Sequence, residues 1–381
     1  MSELMKKLKN VGTIKNSDIV SKSLFFTDKD SIPTKLPILN VAFSGKLDGG
    51  LVSGLTVISG FSKTLKTILT LYCMKAYLDK YEDGIGILFD NEFGITPDNI
   101  KSLGIDPDRI LHVPIENIEE LKFDMVKRLE KIERNDHVFM MIDSLGSLPS
   151  KKEIDDALDE KSVADMTRAK AIRSLFRIIT PILTIKDIPC ICIAHTYSTM
   201  ELYSKSVVGG GASVMYSPNQ VFIISKAQEK DGDALAGFIF TINIEKSRFV
   251  KEKSKFPILV TFDKGISKYS GLLDIAIDLG YVVKVAKNTP SKSNIEIGET
   301  KDKKSKTSYY SRIDIETGEI EDKKYKAKDT NNKEFWEPIL NSEKFTDAVY
   351  NKYSISSHSI ITDDTIQEEI EEIAAGEENN D

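Results

Sequence analysis

Apolar residues along this chain fall into two alternating patterns. Short, nearly continuous apolar runs of strand length occupy 84–90, 110–113, 137–142, 188–194, 221–224 and 238–244, and Val57 and Ile58 lie in a further run that Gly60 ends. Runs rich in Ile, Val and Phe, without a polar face, predict strands covered on both sides in a parallel sheet. Between them, apolar residues at helical spacing predict helices over 118–132 and 161–186, and another from Lys66, where Ile68, Leu69, Leu71 and Tyr72 carry the pattern. Strands alternating with helices predict an α/β fold whose twisted, mostly parallel sheet has helices on both faces.

The flanks depart from this pattern. Residues 1–35 are rich in Lys and Ser, with a weak amphipathic stripe (Leu4, Met5, Leu8, Val11) followed by Leu24-Phe25-Phe26. Such an arm is either a cap on its own core or a hook into a neighbouring subunit, and we assign it as an oligomerisation arm. Pro33 and Pro37 separate it from the main domain, 36–285. Beyond Gly280 the chain turns Lys-, Ser- and Thr-rich with few large apolar residues, until Phe335-Trp336, Ile339-Leu340, Phe345 and Val349 predict a small packed unit within 286–360. The last stretch, 361–381, is expected to be a disordered acidic tail.

Charge refines the picture. The 381 residues are 40% hydrophobic and 29% charged, with no apolar run near the length of a membrane span and no secretion-type leader. Cys73, Cys190 and Cys192 all lie in apolar segments and are expected as buried thiols in a reducing compartment. The net charge of −7 argues at first against a nucleic-acid partner. Residues 363–381, however, carry nine acidic side chains and no Lys or Arg, which leaves 52 basic against 50 acidic residues elsewhere. The acidity belongs to the tail, and the body is free to carry a basic face.

Candidate chemistry concentrates where strands end. After Val57-Ile58 comes Gly60-Phe61-Ser62-Lys63-Thr64-Leu65-Lys66-Thr67, which matches Gly-x-x-x-x-Gly-Lys-Ser/Thr at its first, seventh and eighth positions, with Leu65 in place of the second Gly. Strand, tight loop and helix aim backbone N–H groups and a helix dipole at one spot, the setting of a phosphate site. Lys66 would hold β- and γ-phosphates and Thr67 would ligate Mg²⁺; a Ser/Lys-rich turn between core elements is the plainer alternative. Polar residues follow three other strands: Glu92, Asp143-Ser144 and His195-Thr196. Singly, each could be a solvated strand end, but ligands of such sheets sit beyond the carboxyl ends of the strands. Aperiodic residues 197–215 contain Gly209, Gly210 and Gly211, a loop of the kind that orders on a ligand. Polar residues 150–162 lead to a helix bearing Arg168, Lys170, Arg173 and Arg177, either a basic contact surface or a solvated face.

Taken in order, Gly60…Lys66-Thr67, Glu92, Asp143-Ser144, His195, Gly209-Gly210-Gly211 and Glu245-Lys246-Ser247-Arg248 resemble the core of the RecA recombinases. Longer runs are similar to the phage UvsX recombinases: Asp90-Asn91-Glu92-Phe93-Gly94-Ile95-Thr96-Pro97, Ile142-Asp143-Ser144-Leu145-Gly146 and Val250-Lys251-Glu252-Lys253-Ser254-Lys255-Phe256. The resemblance implies a RecA-like P-loop NTPase core that binds ATP with Mg²⁺ and forms helical filaments on single-stranded DNA, exchanging strands with duplex DNA. It implies that residues 60–67 bind ATP, that Thr67 and Asp143 serve the metal, and that Glu92 activates water. It makes His195 a γ-phosphate sensor at the root of a DNA loop spanning about 196–214, with a first DNA loop at about 150–163. Lys246 and Arg248 would reach a neighbour's γ-phosphate, while Arg168, Lys170, Arg173 and the three glycines would contact DNA. Asn99 stands where the bacterial family has an aromatic residue on adenine. Phage single-strand-binding and mediator proteins would be partners in the host bacterial cytoplasm, and the tail would compete with DNA. Other readings of the same loop are a RecA-core helicase, a nucleotide-switched filament without catalysis, and a small-molecule kinase. The 35-residue arm is short for a helicase's extra domain, and Glu92 has little use in a pure switch.

Overall fold

The computed structural model describes residues 2–14, 17–27, 31–159, 167–198, 206–209, 212–285, 309–315 and 317–355. Its main sheet holds β1 (Gly54–Gly60), β2 (Ile85–Asp90), β3 (Ile110–Pro114), β4 (Val138–Asp143), β5 (Pro189–Ser198), β6 (Ser206–Val208), β7 (Gln220–Asp231), β8 (Ala234–Ser247), β9 (Lys255–Thr261) and β10 (Gly265–Ile266). The order is β10-β9-β8-β7-β1-β5-β4-β2-β3, with β6 paired to β5. From β3 to β7 all pairings are parallel, whereas β8, β9 and β10 add on antiparallel. This is the predicted mostly parallel α/β sheet.

The strand pattern follows from two buried faces. Along β4, Phe139 and Met141 enter one hydrophobic cluster with the helix Lys66–Lys80, while Val138, Met140 and Ile142 enter another with the helices Ile118–Lys131 and Thr167–Ile185. Period-two alternation between two cores produces a sequence that is apolar throughout. The thiols divide the same way, Cys73 on the first side and Cys190 with Cys192 on the second. All three are buried and free, and burial pushes the Cys190 thiol up to about 12.

Several elements differ from expectation. β3 is an edge strand, not a doubly covered one, and Leu111 is 45% exposed. β7 and β8 run well past 221–224 and 238–244, continuing beyond β1 as a hairpin whose β7 arm is mostly exposed while β9 pairs along the β8 arm. Residues 150–162 begin with a helix, Lys151–Leu158, in which Ser150 and Glu153 form a reciprocal capping box. Residues 160–166, the rest of that expected loop and the start of the helix expected over 161–186, lie outside the described residues.

Helix Glu3–Val11 buries none of its residues, and Leu4, Met5, Leu8 and Val11 are exposed. The short helix Leu24–Thr27 does cap its own body, since the Arg134 guanidinium lies 5.2 Å from the Phe25 ring and donates to the Leu24 carbonyl at 3.0 Å. At the other end, β11 (Val282–Val285), β12 (Tyr309–Arg312) and β13 (Tyr325–Lys326) form a small antiparallel sheet followed by helices Lys333–Leu340 and Glu343–Tyr353. Phe335, Trp336, Phe345 and Val349 are buried in the same cluster as helix Pro37–Ser44, so the core is continuous from the main domain into this unit. The acidic tail lies outside the described residues.

Candidate functional site

β1 ends at Gly60, level with His195 of β5 and Ile224 of β7, so the loop that follows opens at the carboxyl ends of the central strands. A Cβ at Gly60 would fall 2.6 Å from Thr64 Oγ1 and 2.8 Å from the Ile224 carbonyl oxygen; glycine is required by that close approach. Leu65 has φ +66°, the left-handed conformation for which the motif uses glycine. Holding a bulky residue there costs roughly 1–3 kcal/mol. The Leu65 side chain offsets part of that strain by packing against the core. Lys66 opens the helix and is buried, donating to the carbonyls of Gly60 (3.1 Å) and Phe61 (2.8 Å) and to Thr64 Oγ1 (3.4 Å). Burial lowers its pKa, opposed by the negative charges of Glu92 and Asp143.

Thr67 Oγ1 donates to Asp143 Oδ2 at 2.8 Å. Asp143 ends β4, is 3% exposed, and its Oδ1 is buried without a hydrogen-bond partner among the described residues. Burial pushes its carboxyl up to about 6, with the Thr67 hydrogen bond pulling the other way. A buried carboxylate oxygen left unpartnered beside a hydroxyl fits a hard cation. Among the described residues no group of three or more His, Cys, Asp or Glu could hold a metal ion.

A second cluster faces this one. Asp90 Oδ1 accepts from the N–H groups of Glu92 and Phe93, both at 2.9 Å, and so fixes the turn after β2. Ser144 N donates to Asn91 Oδ1, and Ser144 Oγ donates to Glu92 Oε1. His195 Nε2 lies 3.0 Å from the same carboxylate oxygen and 3.3 Å from Ser144 Oγ. Burial pushes the Glu92 carboxyl up, but the hydrogen bonds to Ser144 and His195, with the charges of His195 and Lys66, hold it below its usual value. Glu92 is thus an oriented, ionised carboxylate. Residues 62–68, Glu92, Asp143, Ile193 and His195 line one cavity of about 220 Å³.

β5 carries this site outward. Thr196 is buried and bonds through its hydroxyl to Ser59 at 2.6 Å, while Gly209 N donates to the His195 carbonyl at 2.8 Å and β6 pairs back on Thr196–Ser198.

Comparison with known proteins settles the family. The RecA N-terminal domain family matches residues 27–267, and the C-terminal domain family of the bacteriophage T4 recombination and repair protein matches residues 269–349. The chain belongs to the RecA family of recombinases. It is 45% identical over 376 residues to the recombination and repair protein of Enterobacteria phage T4, covering 98% of this chain and 91% of that one. It is also 26% identical over 240 residues to the RecA protein of Chlorobium chlorochromatii (62% of this chain, 66% of that one) and 25% identical over 278 residues to that of Cutibacterium acnes (71% and 76%).

Within this recombinase the remaining candidates separate. Lys170, Arg173 and Arg177 are exposed at helical spacing on one face of Thr167–Ile185. Arg168 is half-buried and donates to the carbonyls of Leu145, Gly146 and Leu148. Gly209 follows β6; Gly210 and Gly211 lie outside the described residues. Lys246 pairs with Val221 near the start of β7, away from Gly60, and donates to the carbonyls of Tyr216 and Pro218. Burial and the neighbouring Arg248 lower its pKa, and Arg248 itself is exposed just beyond β8. The fold therefore does not bring this basic pair into its own chain's cavity. Asn99 completes a capping box with Thr96 at the start of helix Pro97–Ser102.

Sequence reasoning missed three supports of the site. Asp90 anchors the Glu92 turn; Ser59 ties β1 to Thr196; and Gly146 lies against the His195 ring, where a Cβ would fall 2.1 Å from Cδ2. Asp90 and Gly146 both stand in the runs similar to the phage recombinases, whereas Ser59 gave no visible sign.

Proposed function

We propose that this recombinase is a DNA-dependent ATPase. It assembles as a helical filament on single-stranded DNA, using ATP and Mg²⁺, and drives homologous pairing and strand exchange with duplex DNA. The observation that supports this most is the convergence of Lys66, Asp143, Glu92 and His195 on one cavity whose wall, β5, runs straight into the hairpin with β6. Lys66 exchanges the loop carbonyls for β- and γ-phosphate oxygens, and Thr67 with Asp143 would hold Mg²⁺, which would supply positive charge beside the phosphates. Glu92, fixed by Ser144, orients the attacking water and accepts its proton. His195 meets the γ-phosphate and passes its presence to Thr196 and the hairpin.

Lys246 and Arg248, remote from their own chain's cavity, serve a neighbouring copy, which makes hydrolysis depend on assembly. The exposed apolar stripe of helix Glu3–Val11 packs on such a neighbour. Lys170 and Arg173 take the DNA backbone, giving sequence-tolerant, salt-sensitive binding. Similarity to the phage protein favours phage single-strand-binding and mediator partners, in bacterial cytoplasm. Among the described residues no helix is long and apolar enough to cross a membrane.

Steady-state ATP hydrolysis with and without single-stranded DNA tests the reading: strong stimulation that fades as salt rises is expected. Hydrolysis indifferent to DNA would favour a kinase-like or simple switch function. Gly60→Ala, whose Cβ meets Thr64 and the Ile224 carbonyl, is expected to weaken binding of a fluorescent ADP at least about tenfold, a cost of about 1.4 kcal/mol. Unchanged affinity would show that the loop does not cradle phosphate in this conformation.

A further inference from the structure

We infer that Arg168 is a positioning residue that couples the DNA-facing helix to the hydrolytic site, and not itself a contact to DNA phosphate. The inference rests on the DNA-dependent ATPase reading above and deepens it.

Arg168 lies in the first turn of helix Thr167–Ile185. Its Nε donates to the Leu148 carbonyl at 2.9 Å, and its Nη2 donates to the carbonyls of Leu145 and Gly146, both at 2.8 Å. One guanidinium thus gathers three carbonyls from four successive residues, a task suited to a planar fork of donors and not to a single ammonium. The turn it gathers begins where the chemistry is. Ser144 directly precedes it and holds Glu92; Leu145 N donates to the Ile193 carbonyl of β5 at 2.8 Å; and Gly146 lies against the ring of His195.

The other side of the same helix is open. Lys170, Arg173 and Arg177 are exposed and follow one another at i, i+3 and i+7. Arg168 precedes Lys170 by two residues, about 200° around a helix, so the exposed cations and Arg168 occupy opposite sides. Phosphates drawn to the exposed side load a rigid rod whose inner side grips the 145–148 turn. A small shift of that rod moves Ser144 and the surface behind His195 together, and with them the Glu92 carboxylate. With Nε and Nη2 engaged on carbonyls, Arg168 keeps only Nη1 to offer a phosphate.

The test uses the full-length protein and its Arg168→Lys, Arg168→Gln and Arg173→Gln variants. Two quantities are measured: the ratio of ATP hydrolysis at saturating single-stranded DNA to hydrolysis without DNA, and the slope of log affinity for DNA against log salt. Arg168→Lys keeps the charge but loses the fork, and is expected to lower the stimulation ratio at least about tenfold, a loss of about 1.4 kcal/mol of coupling. Arg168→Gln is expected to lose stimulation as well while retaining the wild-type salt slope. Arg173→Gln is expected to reduce that slope by about 0.7, the share of one phosphate contact on a single strand. Arg168→Lys stimulated like wild type, or Arg168→Gln losing slope as Arg173→Gln does, would overturn the inference and make Arg168 an ordinary phosphate contact. A wild-type protein whose hydrolysis ignores DNA overturns the ATPase reading instead, and the coupling with it.

Discussion

Glu92→Gln is expected to lower DNA-stimulated ATP hydrolysis by about 10²- to 10⁴-fold, the usual contribution of a positioned general base, while ATP-dependent DNA binding persists. The amide has the size of the carboxylate, and its oxygen can still accept from Ser144 Oγ, so the turn fixed by Asp90 has no reason to move. What disappears is an ionised oxygen that can take a proton from water. Single-turnover hydrolysis alongside a DNA-binding titration separates the two properties. A loss of less than about tenfold would mean that Glu92 braces Ser144 and His195 and that another group handles the proton.

Trp336→Ala should be the most damaging single change to stability, at about 3–5 kcal/mol, the range for truncating a large buried aromatic. Trp336 is 1% exposed, stacks on Tyr269 with ring centroids 6.2 Å apart, and meets Phe335 edge-on at 5.1 Å. Among the described residues its indole N–H has no hydrogen-bond partner, so truncation also removes an unsatisfied donor and the cost should fall toward the lower end. Because Trp336 shares one cluster with helix Pro37–Ser44 and with Phe256 and Ile258 of β9, the loss should lower the urea midpoint of the whole body. Trp336 is the chain's one tryptophan, so the transition must be followed by circular dichroism. Two transitions with the larger unshifted would show that the C-terminal unit melts on its own.

The parallel strands were legible because burial on both faces writes an uninterrupted apolar run, and the strand-end residues could then be placed without knowing any contact. What escaped was structure whose stability comes from partners distant in sequence. β9 alternates weakly and is held by β8, and β12 lies in a Lys- and Ser-rich stretch where tyrosines paired across from β11 and β13 supply the apolar content. The edge character of β3 could not be seen either, since Ile110-Leu111-His112-Val113 has the composition of a covered strand and only the sheet order exposes it. In the site, residue types identified Lys66, Thr67, Glu92, Asp143 and His195, whereas Arg168 looked like one more surface cation. Its distinction is three carbonyls from a turn some twenty residues earlier, and backbone acceptors leave no mark in a sequence.

Along β5, neighbouring residues have separate duties: His195 faces the cavity, Thr196 turns inward to Ser59, and Tyr197 is exposed. Side chains of a strand alternate strictly, so one added or deleted residue at this joint exchanges the duties of everything beyond it. The join between nucleotide and hairpin is thus a matter of parity as well as distance. Drift in length, which surface loops absorb freely, is forbidden here, and evolution can retune this connection only by substitution.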